Sequence, residues 1–397
     1  MRGWSSYNTF NIHLFTHALR VIALTQTIPS SLFFKVSDIV RSEFEIKDSY
    51  LDETTPTFLV VPPQDFEARL QNLRSKLRSQ GLELVVKPTE AGILLLVFTT
   101  LSSPSHTTPF PKLNYPLILF IATVITVAIS GYLTSSNYLT ILKVVGRNVG
   151  NETVFLIEQT TLYTIATMSI IGLHELGHML ACRRNHLEAS FPIFIPGIPG
   201  VTLGTFGAII RQKEQVRNRN QLFDIGFSGP FVGFITSLIV SAIGFALSLP
   251  VSYAEYLRVS SQIGPAAFIY LPLFSNLLAP YLMPSSSSFT HFLHPLALSG
   301  WMGTLITFLN AFPIGQLDGG HVARSILSDR GSRIVGYIAV GGMILMGWWS
   351  MALLVIFLVR INHPSLLDDV SPLSRGRKIL ALVFVAIFVA SFTISPM

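Results

Sequence analysis

The chain has 397 residues, of which 50% are hydrophobic and only 12% charged, and its mean hydropathy is +0.55. That balance excludes an ordinary soluble globule and describes a polytopic α-helical membrane protein. The net charge of +6 comes largely from Lys and Arg in short loops beside apolar runs, which fits membrane topology rather than a nucleic-acid partner; the single cysteine, Cys182, excludes an intrachain disulfide or a cysteine metal site.

Residues 1–36 have no assignment: the stretch 9–34 is patchily apolar and carries His13, His17 and Arg20, which is not the pattern of a secretory signal. Residues 37–100 read as a small soluble α/β domain. Within it "TFLVV" (Thr57 to Val61) is a strand, and the next segment sets Phe66, Leu70, Leu73 and Leu77 on one helical face before Gly81 stops it. "LELVVK" and "ILLLVF" are two further strands, and residues 101–115, with "SSPSHTTPFPK", form a linker.

From 116 to 397 the chain is expected to be membrane-embedded, with about six transmembrane helices at 116–134, 155–182, 223–249, 292–312, 334–359 and 379–395. The run Pro265 to Pro284 is long enough to cross but holds four prolines, so it is expected to be re-entrant or surface-lying. The loop after the second span carries Arg183, Arg184, Arg211, Lys213, Arg217 and Arg219, whereas the loop after the third carries only Arg258. The first of these loops is therefore cytoplasmic, the N-terminal domain is cytosolic, and the protein is multi-pass in a cell membrane. In this scheme Arg360, Arg375, Arg377 and Lys378 fall on the outer side, against the charge rule.

The second span contains "IIGLHELGHMLA" (Ile170 to Ala181). On a helix, His174 and His178 share one face and can present imidazoles to one ion, with Glu175 beside them; this is the zinc-protease spacing H-E-x-x-H. Ionisable groups inside a span are costly and are kept mainly where they pair, bind an ion or face a cavity. A catalytic zinc takes three protein ligands and one open position, so a third ligand is required. "NAFPIGQLDGGH" (Asn310 to His321) supplies Asp318, with Pro313 ending the preceding span and Gly315, Gly319 and Gly320 permitting an unwound backbone against a cavity. A divalent ion with one aspartate and one hydroxide is formally neutral, which lowers the cost of holding it in an apolar interior. Glu175 is then the general base for the attacking water and one zinc ion per chain is the cofactor.

These motifs resemble those of the site-two protease family of intramembrane zinc metalloproteases. "HELGH", the block from Asn310 matching N-x-x-P-x-x-x-L-D-G-G, and "GFSGP" (Gly226 to Pro230) carry the likeness across most of residues 150–330. "PIFIPGIPGVTLGTFGAIIR" and the small domain ahead of the first span make it closer to the archaeal, cyanobacterial and plastid branch, and no PDZ-like insertion is present. The resemblance implies His174, His178 and Asp318 as ligands, Glu175 as base, Asn310 as a contact to the substrate backbone, and membrane proteins with a transmembrane segment as substrates. His321 reads as structural, and His363 is given no role.

A helical substrate hides its carbonyls and must be unwound before cleavage. "VTLGTFGAII" (Val201 to Ile210), with Gly204 and Phe206, is a β-prone edge that could pair with an extended substrate. Two other readings stand beside this one. A metalloprotease with a glutamate third ligand lacks a candidate, since no Glu follows Glu255 and Glu188 and Glu214 lie in the charged loop. A metal transporter or metal-binding membrane scaffold without hydrolysis would not need Glu175 and would call for several aligned polar sites.

Overall fold

The computed structural model describes residues 30–52, 55–89, 91–99, 114–212, 215–264, 271–283, 290–345 and 366–392, with five single positions between 347 and 356. Its contacts divide into two compact units, residues 1–106 with 368–370, and residues 107–367 with 371–397.

The first unit contains α1 (Ser30–Arg41), β1 (Ile46–Asp52), β2 (Thr55–Val60), α2 (Phe66–Arg78), β3 (Leu82–Thr89) and β4 (Gly92–Thr99). The strands form one antiparallel sheet in the order β1-β2-β4-β3. Leu70, Leu73 and Leu77 of α2 pack with Val36 and Val40 of α1 onto Phe58, Leu84, Val86 and Leu95 of the sheet. Two of these elements carry no clear sequence signal. α1 begins ahead of residue 37, the expected domain edge, and β1 is an edge strand whose "IKDSYLD" has no alternation of apolar and polar residues. Residues 368–370 complete this unit: Asp368 bridges to Val86 and its carboxylate meets the Arg74 guanidinium at 3.1 Å.

The second unit begins with α3 (Asn114–Val145) and α4 (Glu152–Arg184), followed by the hairpin β5 (Ile193–Pro196) and β6 (Thr205–Ile209), and then α5 (Arg219–Ala246). β7 (Leu249–Val251), α6 (Tyr253–Ile263), α7 (Leu273–Leu282) and β8 (Thr290–Phe292) lead to α8 (Pro295–Asn310), α9 (Asp318–Ile326), α10 (Asp329–Leu345) and α11 (Arg375–Ala390). Among the described residues three helices, α3, α4 and α5, are long and apolar enough to cross a membrane. α8, α10 and α11 have only 16 or 17 residues each, and α7 has 10, so six full-length spans are not formed among the described residues.

Small residues set the packing of the long helices. Added Cβ atoms at Gly244, Gly300 and Gly303 would collide with Ala297, Ser241 and Ser237 respectively, so α5 and α8 touch backbone to backbone. Thr167 of α4 and Ser299 of α8 share a hydroxyl hydrogen bond of 2.8 Å in the buried interface.

Two expectations for the C-terminal part are corrected. The span at 334–359 is not one helix: α10 ends at Leu345, and Gly347 adopts a left-handed φ of 80°. The basic group at 375–378 does not lie at the end opposite the 183–219 loop. Arg377 forms a two-pronged ion pair with Asp224 near the start of α5 (Nε–Oδ1 2.7 Å, Nη2–Oδ2 2.6 Å), and the Ser374 backbone donates to Asn220. α11 thus begins at the same end of the unit as the basic loop, and the conflict with the charge rule disappears for these residues; Arg360 lies outside the described residues.

Candidate metal centre

α4 is capped at its start by the Asn151 side chain, which accepts from Thr153 and Val154 N–H, and runs unbroken through the motif to Arg184. One turn apart on its buried face, His174 and His178 bring their Nε2 atoms within 3.1 Å, with ring planes at 69°. The third group comes from far along the chain. After α8 ends at Asn310, Pro313 and Gly315 (φ 51°) carry the backbone through a non-helical turn, and Asp318 opens α9. Gly319 and Gly320 are helical rather than unwound. Their role is close approach, since a Cβ at either would strike the backbone of Ala311 or Gly315.

Asp318 places Oδ2 3.3 Å from His174 Nε2 and Oδ1 3.3 Å from His178 Nε2. All three side chains are largely buried, and this is the cluster of metal-ligating groups found among the described residues. The spacing tests the fit to zinc: a tetrahedron with metal–nitrogen and metal–oxygen bonds of about 2.0–2.1 Å has edges of about 3.3–3.4 Å. The observed separations of 3.1, 3.3 and 3.3 Å match those edges. His178 Nδ1 hydrogen-bonds the carbonyl of Ile225 at 2.8 Å; since a carbonyl can only accept, Nδ1 carries the proton and Nε2 is left free for a metal.

Glu175 faces the same cavity, of about 230 Å³, which is also lined by Asn310, Gln316, Leu317, His321, Ile225 and residues Ala208 to Ile210. Ile210 and Glu175 both line this cavity, so the hairpin exit lies beside the acidic group. An acceptor-rich carboxylate next to a three-ligand metal position, in a cavity lined by both amide and apolar groups, can take a proton from water and return it to a leaving group.

The residues expected from sequence fall into two sets. His174, Glu175, His178, Asn310 and Asp318 come together around one cavity. Gly204 and Phe206 do not line it. Gly204, at φ 89°, sits against the α3 backbone, accepting from Thr126 Oγ1 at 2.6 Å, and the Phe206 ring is 62% exposed. The part of the hairpin that reaches the site is its far end, Ala208 to Ile210, together with Gln212. Sequence reasoning also passed over the Ile225 carbonyl and Gly229, whose Cβ would fall on the His178 imidazole; the recurrence of Gly226, Gly229, Gly233, Ser237 and Ser241 at three- and four-residue intervals was the available signal.

Comparison with known proteins matches residues 162–354 to Peptidase family M50. Among curated proteins, the chain is 32% identical over 235 residues to "Probable zinc metalloprotease EGY1, chloroplastic" of Arabidopsis thaliana, covering 58% of this chain and 41% of that protein. It is 26% identical over 321 residues to "Probable zinc metalloprotease EGY2, chloroplastic" of Oryza sativa subsp. japonica, covering 79% of this chain and 54% of that protein. The chain thus spans about half, or less, of the length of these relatives. No solved structure matches it.

Proposed function

Since residues 162–354 match peptidase family M50, we propose that the protein belongs to that family and is an intramembrane zinc endopeptidase of the site-two protease type, hydrolysing peptide bonds within or near transmembrane segments of other membrane proteins. The observation that carries this reading is the convergence of two imidazole nitrogens and one carboxylate at tetrahedral-edge distances, with the Glu175 carboxylate in the same cavity.

In the mechanism, His174, His178 and Asp318 hold the zinc, which when bound acidifies water and polarises the scissile carbonyl. Glu175 takes the proton from the attacking water and delivers it to the leaving amine. Asn310, at the end of α8, offers an amide to the substrate backbone. The β6 end at Ala208 to Ile210 aligns an extended segment by strand pairing, a role moved here from Gly204 and Phe206. Glu175 also distinguishes the enzyme from a metal-binding scaffold, which has no use for a carboxylate beside the ligands.

We assign the basic loop at 183–219 and the N-terminal domain to the cytosolic side of a cell membrane, following the positive-inside rule. The printed names of the curated relatives favour a plastid membrane as a second location, and membrane fractionation decides between them. α3, α4 and α5 span the bilayer, α8 and α11 complete the bundle as shorter spans, and α7 is re-entrant. In support of that last assignment, Phe274 of α7 packs edge-on against Phe234, midway along α5, and Leu273 N–H bonds the Phe392 carbonyl beyond α11.

The test is cleavage of a reconstituted panel of transmembrane peptides by the full chain. Glu175→Gln is expected to lower turnover by about 10²–10⁴-fold while leaving bound zinc unchanged. Undiminished cleavage by this variant would remove Glu175 from the chemistry.

A further inference from the structure

The motif Gly226–Pro230 stands in the sequence beside the ligand motifs, yet it holds no imidazole or carboxylate, and the hydroxyl of Ser228 is turned to the Ile225 carbonyl at 3.2 Å. Its position in α5 gives it a different task. A Cβ at Gly229 would overlap the His178 imidazole, and one at Gly233, a turn later, would stand 2.7 Å from His174 Nδ1. At the other end, a Cβ on Gly226 would lie 2.7 Å from both the Asp318 carbonyl oxygen and His321 Cβ. α5 therefore touches all three ligand residues, one glycine to each.

The backbone of the same turn adds a directed contact. Pro230 has no N–H, so it cannot donate to the carbonyl of Gly226, and its ring presses that carbonyl aside. In the same turn, one residue before Gly226, the Ile225 carbonyl faces His178 and takes the Nδ1 proton at 2.8 Å, while also accepting from Ser228 Oγ at 3.2 Å. Gly177 lets α4 come this close: a Cβ there would meet the Ser228 carbonyl at 2.7 Å.

We propose that Gly226–Pro230, continued by Gly233, is the positioning element of the metal centre. Its glycines form the mould that fixes both imidazoles and the start of α9, and Pro230 shapes the turn in which the Ile225 carbonyl sets the tautomer of His178. This inference rests on the reading that the cluster holds zinc.

The experiment measures zinc affinity of the full chain in lipid nanodiscs by competition with a chromophoric chelator, and the His178 tautomer by ¹⁵N NMR of labelled histidine. Gly229→Ala is expected to weaken zinc at least 100-fold, because the added methyl occupies the imidazole's place. Pro230→Ala, the milder change, is expected to weaken it 10–100-fold, the range for loss of a group that orients a ligand, and to reduce the Nδ1–H population. Gly341→Ala is the matched control, since a Cβ there meets nothing within 4 Å, and it should bind as the unmodified chain does. If Gly229→Ala fails to assemble, Pro230→Ala decides. Wild-type affinity in Pro230→Ala with an unchanged tautomer overturns the inference, whereas absence of zinc from the unmodified chain overturns the metal reading itself.

Discussion

Replacing Asp318 with alanine tests whether two motifs more than a hundred residues apart make one site. Each carboxylate oxygen stands 3.3 Å from one imidazole nitrogen, so the aspartate supplies one of three protein ligands and the only negative charge among them. Three-to-four-ligand zinc sites bind with about 10–16 kcal/mol, so one ligand accounts for about 3–5 kcal/mol. At about 1.4 kcal/mol per decade, Asp318→Ala should weaken zinc by roughly 10²–10⁴-fold. Asp318→Asn keeps the shape and removes the charge, and is expected to lose more than tenfold. The assay is equilibrium competition with a chelator in nanodiscs, with zinc counted by atomic emission and helix content followed by circular dichroism. Affinity within threefold of wild type in Asp318→Ala, on a folded protein, would refute the three-ligand geometry.

Two further outcomes concern what holds the site in place. Arg377 and Asp224, with side chains 29% and 21% exposed, form a two-pronged, partly buried pair. Arg377→Ala should cost about 1.5–3 kcal/mol and lower the thermal midpoint in detergent. A double-mutant cycle with Asp224→Ala that gives no coupling would show that the pair does not fasten α11. Gly204→Ala forces a side chain into a φ of 89° and against the Thr126 carbonyl, so it should detach the hairpin from α3 at a cost of about 1–3 kcal/mol. Protease nicking between 197 and 207 in the variant but not the parent would report that detachment; equal resistance would place the glycine's role elsewhere.

The ligands were legible because their chemistry is local and costly. A four-residue histidine spacing on an apolar helix, and one aspartate after a proline-broken span, have few explanations in a membrane. The Ile225 carbonyl was not legible, because a backbone group leaves no mark in residue type; only the glycine and proline around it do. β1 was hidden for the opposite reason, as an edge strand free of the alternation that marks a half-buried one. The end of the unit at which α11 begins depends on a pair 153 residues apart in sequence, and loop-by-loop charge counting cannot see such a partner. Gly204 and Phe206 were read as part of a β-prone edge; Phe206 lies in β6 and Gly204 just before it, but a five-residue strand brings only one end to the site, and which end depends on how the hairpin leans on α3.

That lean bears on how a helical substrate could be opened. Phe194 packs against Phe120 and Gly204 against Thr126, so the hairpin lies beside the first half of α3, a helix of membrane-crossing length. A two-stranded sheet satisfies only its inner edges, and within an apolar layer each unpaired backbone group costs on the order of 1–3 kcal/mol or more. An unwound substrate segment carries the same deficit. Under the proposed function, pairing one with the other would remove both deficits together, so opening a substrate helix would be far less costly beside β6 than elsewhere in the bilayer. β6 ends at Ile209, and Ala208 to Ile210 line the cavity that holds Glu175, so under the proposed function a segment aligned along the strand edge is led toward that carboxylate. Under the same proposal, the hairpin set between α4 and α5 brings an opened segment to the cavity that holds His174, Glu175, His178 and Asp318.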